Sequence, residues 1–141
     1  DSSTSRGLGD VYKRQLYPCT PFLKPQYLTD SFERWQSSNS LYCFPVLEFE
    51  SNVLRSLKLT ETGEVSSIFS QHELTRTQDL PQAYFDAGQF YWGSREAWLS
   101  EDKIHNHALG YVLPKYSVVD IDDDNDWRFA ERLYQAQLEL P

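Results

Sequence analysis

Short apolar runs alternate with amphipathic helical segments along most of this 141-residue chain, and this alternation limits its fold class more than any other feature. Helices are predicted over residues 25–36, 95–99 and 125–137. Leu28, Phe32 and Trp35 form one apolar stripe on the first of them. Ser94 is placed to cap the second. Because strand-like runs lie between these helices, an α/β fold is predicted.

The apolar runs predict several strands and one hairpin. Strands are predicted where apolar residues run together or alternate with polar ones, at residues 42–50, 89–92, 111–113 and 117–121. Residues 57–60 and 65–69 alternate in the same way on either side of Thr62-Gly63. This pattern predicts a β-hairpin within an arm of about residues 50–80.

The charge balance excludes two classes of partner. The chain has 13 Lys and Arg against 21 Asp and Glu, a formal net charge of −8. An acidic surface repels nucleic-acid phosphates and anionic lipids, so neither nucleic acid nor a membrane is an expected partner. The two cysteines are too few for a disulfide framework, which fits a reducing compartment and predicts a cytoplasmic location.

The N-terminal segment differs in character from the rest of the chain. Residues 1–15 are rich in Ser, Thr, Gly and Asp in their first part, and residues 10–15 resemble a sequencing adapter translated in frame. We therefore expect residues 1–15 to be non-native or disordered and to lie outside the fold. A flexible native arm is the alternative. Residues 16–141 are then expected to form part of a single domain.

Two aspartates form the sharpest candidate for chemistry. Asp120 and Asp122 are two residues apart at the end of the run predicted as a strand over residues 117–121. That spacing would direct both carboxylates to one face, where they repel each other unless a cation lies between them. Mg²⁺ takes one or two carboxylates together with phosphate oxygens, so the pair suits a nucleotide-binding metal site.

Two other interpretations of the same acidic segment stay open. The first is a solvated turn in which Asp124 or Asp126 caps the last helix. The second is a calcium loop, because several acidic residues fall at the ligand positions of an EF-hand. Those residues are Asp120, Asp122, Asp124, Asp126 and Glu131. Against calcium, Asn125 stands where an EF-hand has glycine.

A second candidate segment, residues 76–93, is dense in polar and aromatic side chains. Its polar candidates are Arg76, Gln78, Asp86 and Gln89. Arginine pairs with carboxylates or phosphates, and Gln with Asp suits a polyhydroxylated ligand. The alternative is a loop followed by a packed aromatic strand. His105-Asn106-His107 could supply two ligands to a metal, but no third ligand lies nearby in the sequence and the segment is more typical of a surface loop.

Three segments, residues 17–23, 76–93 and 118–134, in this order resemble the acylneuraminate cytidylyltransferases, the CMP-sialic acid synthetase group. The phrase at residues 86–93, Asp-Ala-Gly-Gln-Phe-Tyr-Trp-Gly, is typical of the pseudaminic acid branch. The resemblance extends over residues 16–138.

The resemblance implies a nucleotide-diphospho-sugar transferase (Rossmann-like) fold with a β-hairpin dimerisation arm, hence a homodimer. It implies transfer of CMP from CTP to a nonulosonic acid, with release of pyrophosphate and with Mg²⁺ as cofactor. Asp120 and Asp122 match the family's metal-binding, catalytic aspartates. Arg76 and Gln78 match an arm motif that reaches the sugar, and Tyr91 matches a tyrosine that contacts it.

Two departures from the family pattern favour pseudaminic acid over N-acetylneuraminic (sialic) acid. Ala87 replaces an asparagine that contacts sialic acid, and Tyr17 stands where sialic acid enzymes tend to have glutamine. A third departure is larger, because the family's glycine-rich and basic loop for the CTP phosphates is absent from this sequence. We therefore expect the chain to be the C-terminal part of such a domain and to be inactive alone. A non-catalytic dimerising module is the remaining alternative.

Overall fold

The computed structural model describes residues 12–101 and 103–139. Within them lie strands and α-helices in the order β1 (Tyr12–Leu16), α1 (Pro25–Gln36), β2 (Tyr42–Glu48), β3 (Leu57–Leu59), β4 (Val65–Ser67), β5 (Tyr84–Asp86), β6 (Phe90–Ser94), α2 (Arg95–Leu99), β7 (Ala108–Val112) and α3 (Asp124–Glu139). The chain divides into two compact units, residues 47–85 and the residues on either side of that segment.

The main sheet is mixed. Its strands follow the order β1-β6-β2-β5, and β7 pairs with β2 as well. The β1–β6 and β2–β6 pairs are antiparallel, whereas β2 and β7 are parallel. The described residues thus combine a mixed sheet with α-helices, and the predicted α/β class is confirmed.

Local sequence patterns predicted several of these elements correctly. Helix α1 spans the predicted residues, with Pro25 in its first turn. The Ser94 hydroxyl accepts a hydrogen bond from the Ala97 backbone N–H at 3.0 Å and so caps α2 as predicted. In the 47–85 unit, β3 and β4 form the predicted antiparallel hairpin, and Gly63 adopts a φ of 85° in its turn.

The structure departs from the sequence prediction at residues 12–15, which we expected to lie outside the fold. They belong to β1, which runs along β6 from the Tyr12–Ser94 pair to the Leu16–Phe90 pair. This pairing satisfies backbone groups on the edge of β6 that would otherwise need water. The Tyr12 ring also lies 4.7 Å from that of Phe32. Residues 1–11 of the same segment lie outside the described residues.

Helix α1 packs on one face of the main sheet, and hydrogen bonds at Ser31 connect the helix to two strands. The Trp92 indole donates to the Ser31 hydroxyl at 3.0 Å, and the Cys43 thiol donates to the Ser31 carbonyl at 3.7 Å. Successive side chains of a strand point to opposite faces. Phe44 follows Cys43 and Tyr91 precedes Trp92, so the side chains of Phe44 and Tyr91 face away from α1. The candidate site lies on this second face of the sheet.

The two cysteines are expected to differ sharply in reactivity. Burial raises the pKa of the Cys43 thiol to about 12, whereas Cys19 is exposed. Because the thiolate is the nucleophile, Cys43 should not react with a disulfide reagent at about pH 8 until the chain unfolds. Counting thiols before and after denaturation should give one fast and one masked group. In Cys19→Ser the fast group should vanish; a fast thiol remaining in that variant would contradict the packing of Cys43.

Among the described residues, no helix combines the length and the apolar character that crossing a bilayer needs.

Candidate functional site

Asp86 lies at the centre of the candidate site because a tight turn folds back beside it. Its Oδ1 accepts a hydrogen bond from the Gly88 backbone N–H at 2.9 Å. Gly88 has a φ of 61°, a conformation that glycine adopts without steric cost. The backbone N–H of Ala87 donates to the Pro45 carbonyl at 3.0 Å and ties the turn to β2. Residues 86–88, Asp-Ala-Gly, thus form a turn that directs the Asp86 carboxylate towards β6.

The structure brings Asp86 and Tyr91 together, two residues that the sequence analysis predicted for the site. The Tyr91 hydroxyl donates to Asp86 Oδ2 at 2.8 Å. Its ring lies 5.6 Å from that of Phe44 and 5.6 Å, edge to face, from that of Tyr17. Burial, and then the hydrogen bond to Asp86, raise the pKa of Tyr91 well above its ordinary value. The phenol therefore stays protonated and keeps donating to Asp86 through the neutral pH range.

His105 is a member of this cluster that sequence reasoning missed. Its Nε2 lies 3.2 Å from Asp86 Oδ2, and its ring stands edge-on to Phe44 at 5.3 Å. The His105 side chain is 64% exposed, and that of Asp86 is 25% exposed. His105 precedes β7 in a loop, 19 residues along the chain from Asp86. No local pattern in the sequence reveals a contact between residues so far apart.

Gln89, also predicted to bind substrate, is buried and holds a loop. The residue is only 2% exposed. Its Nε2 donates to the Ser117 carbonyl at 3.2 Å, while its Oε1 has no hydrogen-bond partner among the described residues. Its backbone carbonyl accepts from the Tyr17 N–H at 2.9 Å. The Gln89 side chain therefore fastens the chain just before β6 to the loop between β7 and α3, and that loop carries the aspartate pair.

Asp120 and Asp122 lie in that loop rather than at the end of a strand. The predicted strand over residues 117–121 is wrong, since these residues pair with no neighbouring strand in the described part of the chain. A strand needs such a neighbour to satisfy its backbone groups. The strand argument for placing both carboxylates on one face therefore fails. Both residues are exposed, and neither carboxylate has a hydrogen-bond or ion-pair partner within residues 12–101 and 103–139.

The neighbouring acidic residues cap α3. Asp123 Oδ1 accepts from the backbone N–H groups of Asn125 and Asp126, at 2.7 and 3.0 Å. Asp126 Oδ2 accepts in return from the N–H groups of Asp122 and Asp123, at 3.1 and 3.0 Å. This reciprocal arrangement is a capping box. The prediction that Asp124 or Asp126 caps the helix is therefore wrong in its residue, because Asp123 is the cap and Asp126 is its reciprocal partner from the first turn.

The calcium-loop interpretation is wrong. Helix α3 begins at Asp124, so Asp124 and Asp126 lie on the helix rather than in a loop. An EF-hand needs those ligands wrapped around the ion by a continuous loop. Over the range that the structure describes, no group of three or more His, Cys, Asp or Glu side chains is arranged to hold a metal.

The donor chemistry of Asp120 and Asp122 fits magnesium better than calcium. Mg²⁺ keeps several waters and binds through one or two carboxylates plus phosphate oxygens, whereas Ca²⁺ takes six to eight oxygen ligands. Asp120 and Asp122 supply the two carboxylates that Mg²⁺ needs from the protein. They do not supply the six to eight oxygen ligands that Ca²⁺ takes.

Arg76 and Gln78 belong to the 47–85 unit. Both are exposed and flank the start of a 3₁₀ turn over Thr77–Asp79. Within the same unit, Arg55 Nη1 donates to the Thr75 carbonyl at 2.8 Å, which orders the chain just before Arg76. The predicted roles of Arg76 and Gln78 in holding the sugar stay predictions.

No family model matches the chain, but comparison with known proteins finds cytidylyltransferases among its relatives. A pseudaminic acid cytidylyltransferase of Campylobacter jejuni is 38% identical over 125 residues, which cover 88% of this chain and 54% of that protein. The chain is a homologue of this cytidylyltransferase. A Helicobacter pylori protein named as a pseudaminic acid cytidylyltransferase and a hydrolase is 32% identical over 88% of this chain and 23% of its own length. N-acylneuraminate cytidylyltransferase B of Danio rerio is 26% identical over 80% of this chain and 27% of its own length.

These relatives confirm the resemblance drawn from residues 17–23, 76–93 and 118–134. The chain spans about half the length of the Campylobacter jejuni relative.

Proposed function

We propose that this chain takes part in transferring CMP from CTP to a nonulosonic acid, with release of pyrophosphate, and that pseudaminic acid is the preferred sugar. The observation that supports it is the contact of Asp86 with Tyr91 and His105. Asp86 and Tyr91 belong to the motif at residues 86–93, in a chain 38% identical to a pseudaminic acid cytidylyltransferase. N-acetylneuraminic acid is the second candidate sugar, favoured by the similarity to an N-acylneuraminate cytidylyltransferase.

The sugar would bind against the face of the sheet that carries Tyr91. Because the Tyr91 hydroxyl donates its proton to Asp86, its oxygen lone pairs can accept a hydrogen bond from a sugar hydroxyl. Tyr17 is 44% exposed, and its ring, edge to face with that of Tyr91, would offer apolar surface to the carbon skeleton of the sugar. A few fixed polar groups beside aromatic rings are typical of sites for small ligands.

Asp120 and Asp122 would hold Mg²⁺ in the loop between β7 and α3. A bound Mg²⁺ would screen the negative charge of the nucleotide's phosphates. Gln89 contributes by holding Ser117, three residues before Asp120, and the capping box fixes the far end of the same loop. The two carboxylates are thus carried on a loop anchored at both ends.

A divalent ion should therefore bind at residues 120–122. We expect Mn²⁺, used as a paramagnetic stand-in for Mg²⁺, to broaden backbone NMR signals of the loop before any others, and excess Mg²⁺ to reverse the effect. The double variant Asp120→Asn, Asp122→Asn should bind Mn²⁺ about tenfold more weakly, because carboxylates are the preferred ligands. Asp79→Asn, at an exposed aspartate of the 47–85 unit, is the matched control. Equal broadening in the double variant would contradict the metal site.

We also propose that the hairpin arm mediates a homodimer. Leu57, Leu59 and Val65 on β3 and β4 are each more than half exposed, at 63%, 69% and 59%. Apolar side chains clustered on one exposed hairpin are a common basis for association. Sedimentation equilibrium distinguishes the dimer from a monomer, and a monomer at high protein concentration would refute this part of the proposal.

Calorimetry with three ligands tests the proposed function. Pseudaminic acid should bind, N-acetylneuraminic acid should bind more weakly, and CTP with Mg²⁺ should show no micromolar affinity because the phosphate-binding loop is absent from this sequence. Clear micromolar binding of CTP would refute the proposed dependence on that loop. Heat signals from neither sugar would refute the sugar site itself.

A further inference from the structure

We propose that His105 is a sugar-binding residue of this site, whose Nδ1 accepts a hydrogen bond from a hydroxyl of the nonulosonic acid. The inference rests on the proposed function and extends it to a residue outside the motifs that carry the family resemblance. Asp86 then acts as a positioning residue, which orients His105 and Tyr91 through one carboxylate.

The hydrogen bonds around Asp86 determine which nitrogen of His105 carries the proton. An ionised carboxylate only accepts hydrogen bonds. Asp86 Oδ1 accepts from the Gly88 N–H, and Oδ2 accepts from the Tyr91 hydroxyl and lies 3.2 Å from His105 Nε2. Nε2 must therefore be the protonated nitrogen. In the neutral imidazole this leaves Nδ1 as an acceptor that can only pair with a donor such as a hydroxyl.

Packing holds the imidazole in place beside Tyr91. The His105 ring stands edge-on to Phe44 at 5.3 Å, and Phe44 packs against the Tyr91 ring at 5.6 Å. His105 and Tyr91 are thus linked twice, through the carboxylate and through the aromatic ring. With 64% of its side chain exposed, His105 remains open to a ligand. Two acceptors fixed by one carboxylate suit a polyhydroxylated ligand, whose hydroxyls are donors.

A purely structural role for His105 can be separated from a ligand-binding role by two substitutions. The amide nitrogen of a glutamine reaches about as far as Nε2, so His105→Gln can keep the hydrogen bond to Asp86 but has no acceptor in the place of Nδ1. The amide oxygen of an asparagine stands about where Nδ1 does, so His105→Asn keeps the acceptor. If His105 only supported Asp86, the glutamine variant would bind the sugar as the wild type does.

The experiment combines ¹⁵N NMR of the imidazoles with calorimetry, using pseudaminic acid as the probe. The chain has three histidines, so His72 and His107 serve as internal controls. Without ligand, His105 should show the Nε2-protonated tautomer. Saturating pseudaminic acid should shift its Nδ1 signal and leave those of His72 and His107 unchanged. His105→Gln should bind about tenfold more weakly, the effect of one lost hydrogen bond, and His105→Asn should recover most of the affinity.

Three outcomes decide the proposal. A shifted Nδ1 with a weakened glutamine variant supports it. A sugar that perturbs the Tyr91 signals but not those of His105, together with wild-type affinity in His105→Gln, overturns the role of His105 and leaves the proposed function intact. Pseudaminic acid that perturbs neither residue at saturation overturns the proposed sugar site and, with it, the role of His105.

Discussion

Gly93→Ala is expected to lower the free energy of unfolding by about 3 kcal/mol, the upper part of the range for overpacking a filled core. Gly93 is buried in β6, paired with Tyr42 of β2 and Lys13 of β1. A Cβ at this position would lie 2.5 Å from Trp98 Nε1 and 2.8 Å from Tyr42 Cδ1. Tyr42 cannot withdraw freely, because its hydroxyl donates to the Ala97 carbonyl at 2.6 Å.

Urea denaturation of Gly93→Ala and a matched variant measures this effect. Gly110→Ala adds the same methyl group to β7, where the nearest atom, Val46 Cγ2, is 3.2 Å away. That neighbour has to move by only a few tenths of an ångström, so the cost should stay below about 1 kcal/mol. Equal losses in the two variants would show that Trp98 and Tyr42 are not packed over Gly93 as described.

Asp86→Ala is expected to weaken pseudaminic acid binding by about a hundredfold and to lower the free energy of unfolding by about 2 kcal/mol. The Tyr91 hydroxyl, in a residue only 7% exposed, would lose its acceptor, and a buried unpaired donor costs about 1–3 kcal/mol. The Gly88 N–H would lose its partner as well. Binding suffers more than stability because Tyr91 and His105 would both lose their orientation.

Tyr91→Phe is the control for Asp86→Ala. It removes the hydroxyl but keeps the ring that packs on Phe44 and Tyr17, and Asp86 keeps its contacts with Gly88 and His105. Sugar affinity should fall about tenfold, as for one lost hydrogen bond, with a smaller loss of stability than in Asp86→Ala. Calorimetry and thermal unfolding measure both quantities. Wild-type affinity in Asp86→Ala would remove this carboxylate from the site.

Features with local causes were predictable from the sequence. Helix α1 follows from an apolar stripe with proline in its first turn, and α2 follows from the Ser94 cap. The β3–β4 hairpin follows from alternating residues around Thr62-Gly63. In each case the determining residues lie within a few positions of one another, so one-dimensional patterns carry the information.

Features with distant causes were not predictable from pattern alone. Residues 117–121 have the apolar character of a strand but no strand beside them, and pairing depends on the whole sheet. Gln89 resembles a ligand-binding residue in the sequence, yet its partner is the Ser117 carbonyl, a backbone group that no residue type reveals. His105 joins Asp86 only because the loop before β7 returns to the end of β5.

The resemblance to the cytidylyltransferases singled out Tyr91, within the motif at residues 86–93, as a contact of the sugar, whereas the spacing of Asp120 and Asp122 had already predicted the aspartate pair. The structure adds the physical reason for part of that motif. The Asp-Ala-Gly turn aims one carboxylate at Tyr91, and the residues after it form the strand that carries the tyrosine.

A crystal structure of the chain with saturating pseudaminic acid tests most directly whether Tyr91 and His105, beside Asp86, bind the sugar. We predict sugar density against the Tyr17 and Tyr91 rings, with one hydroxyl within hydrogen-bond distance of the Tyr91 oxygen and another within that distance of His105 Nδ1. Sugar bound elsewhere on the chain, with Tyr91 and His105 untouched, would contradict it.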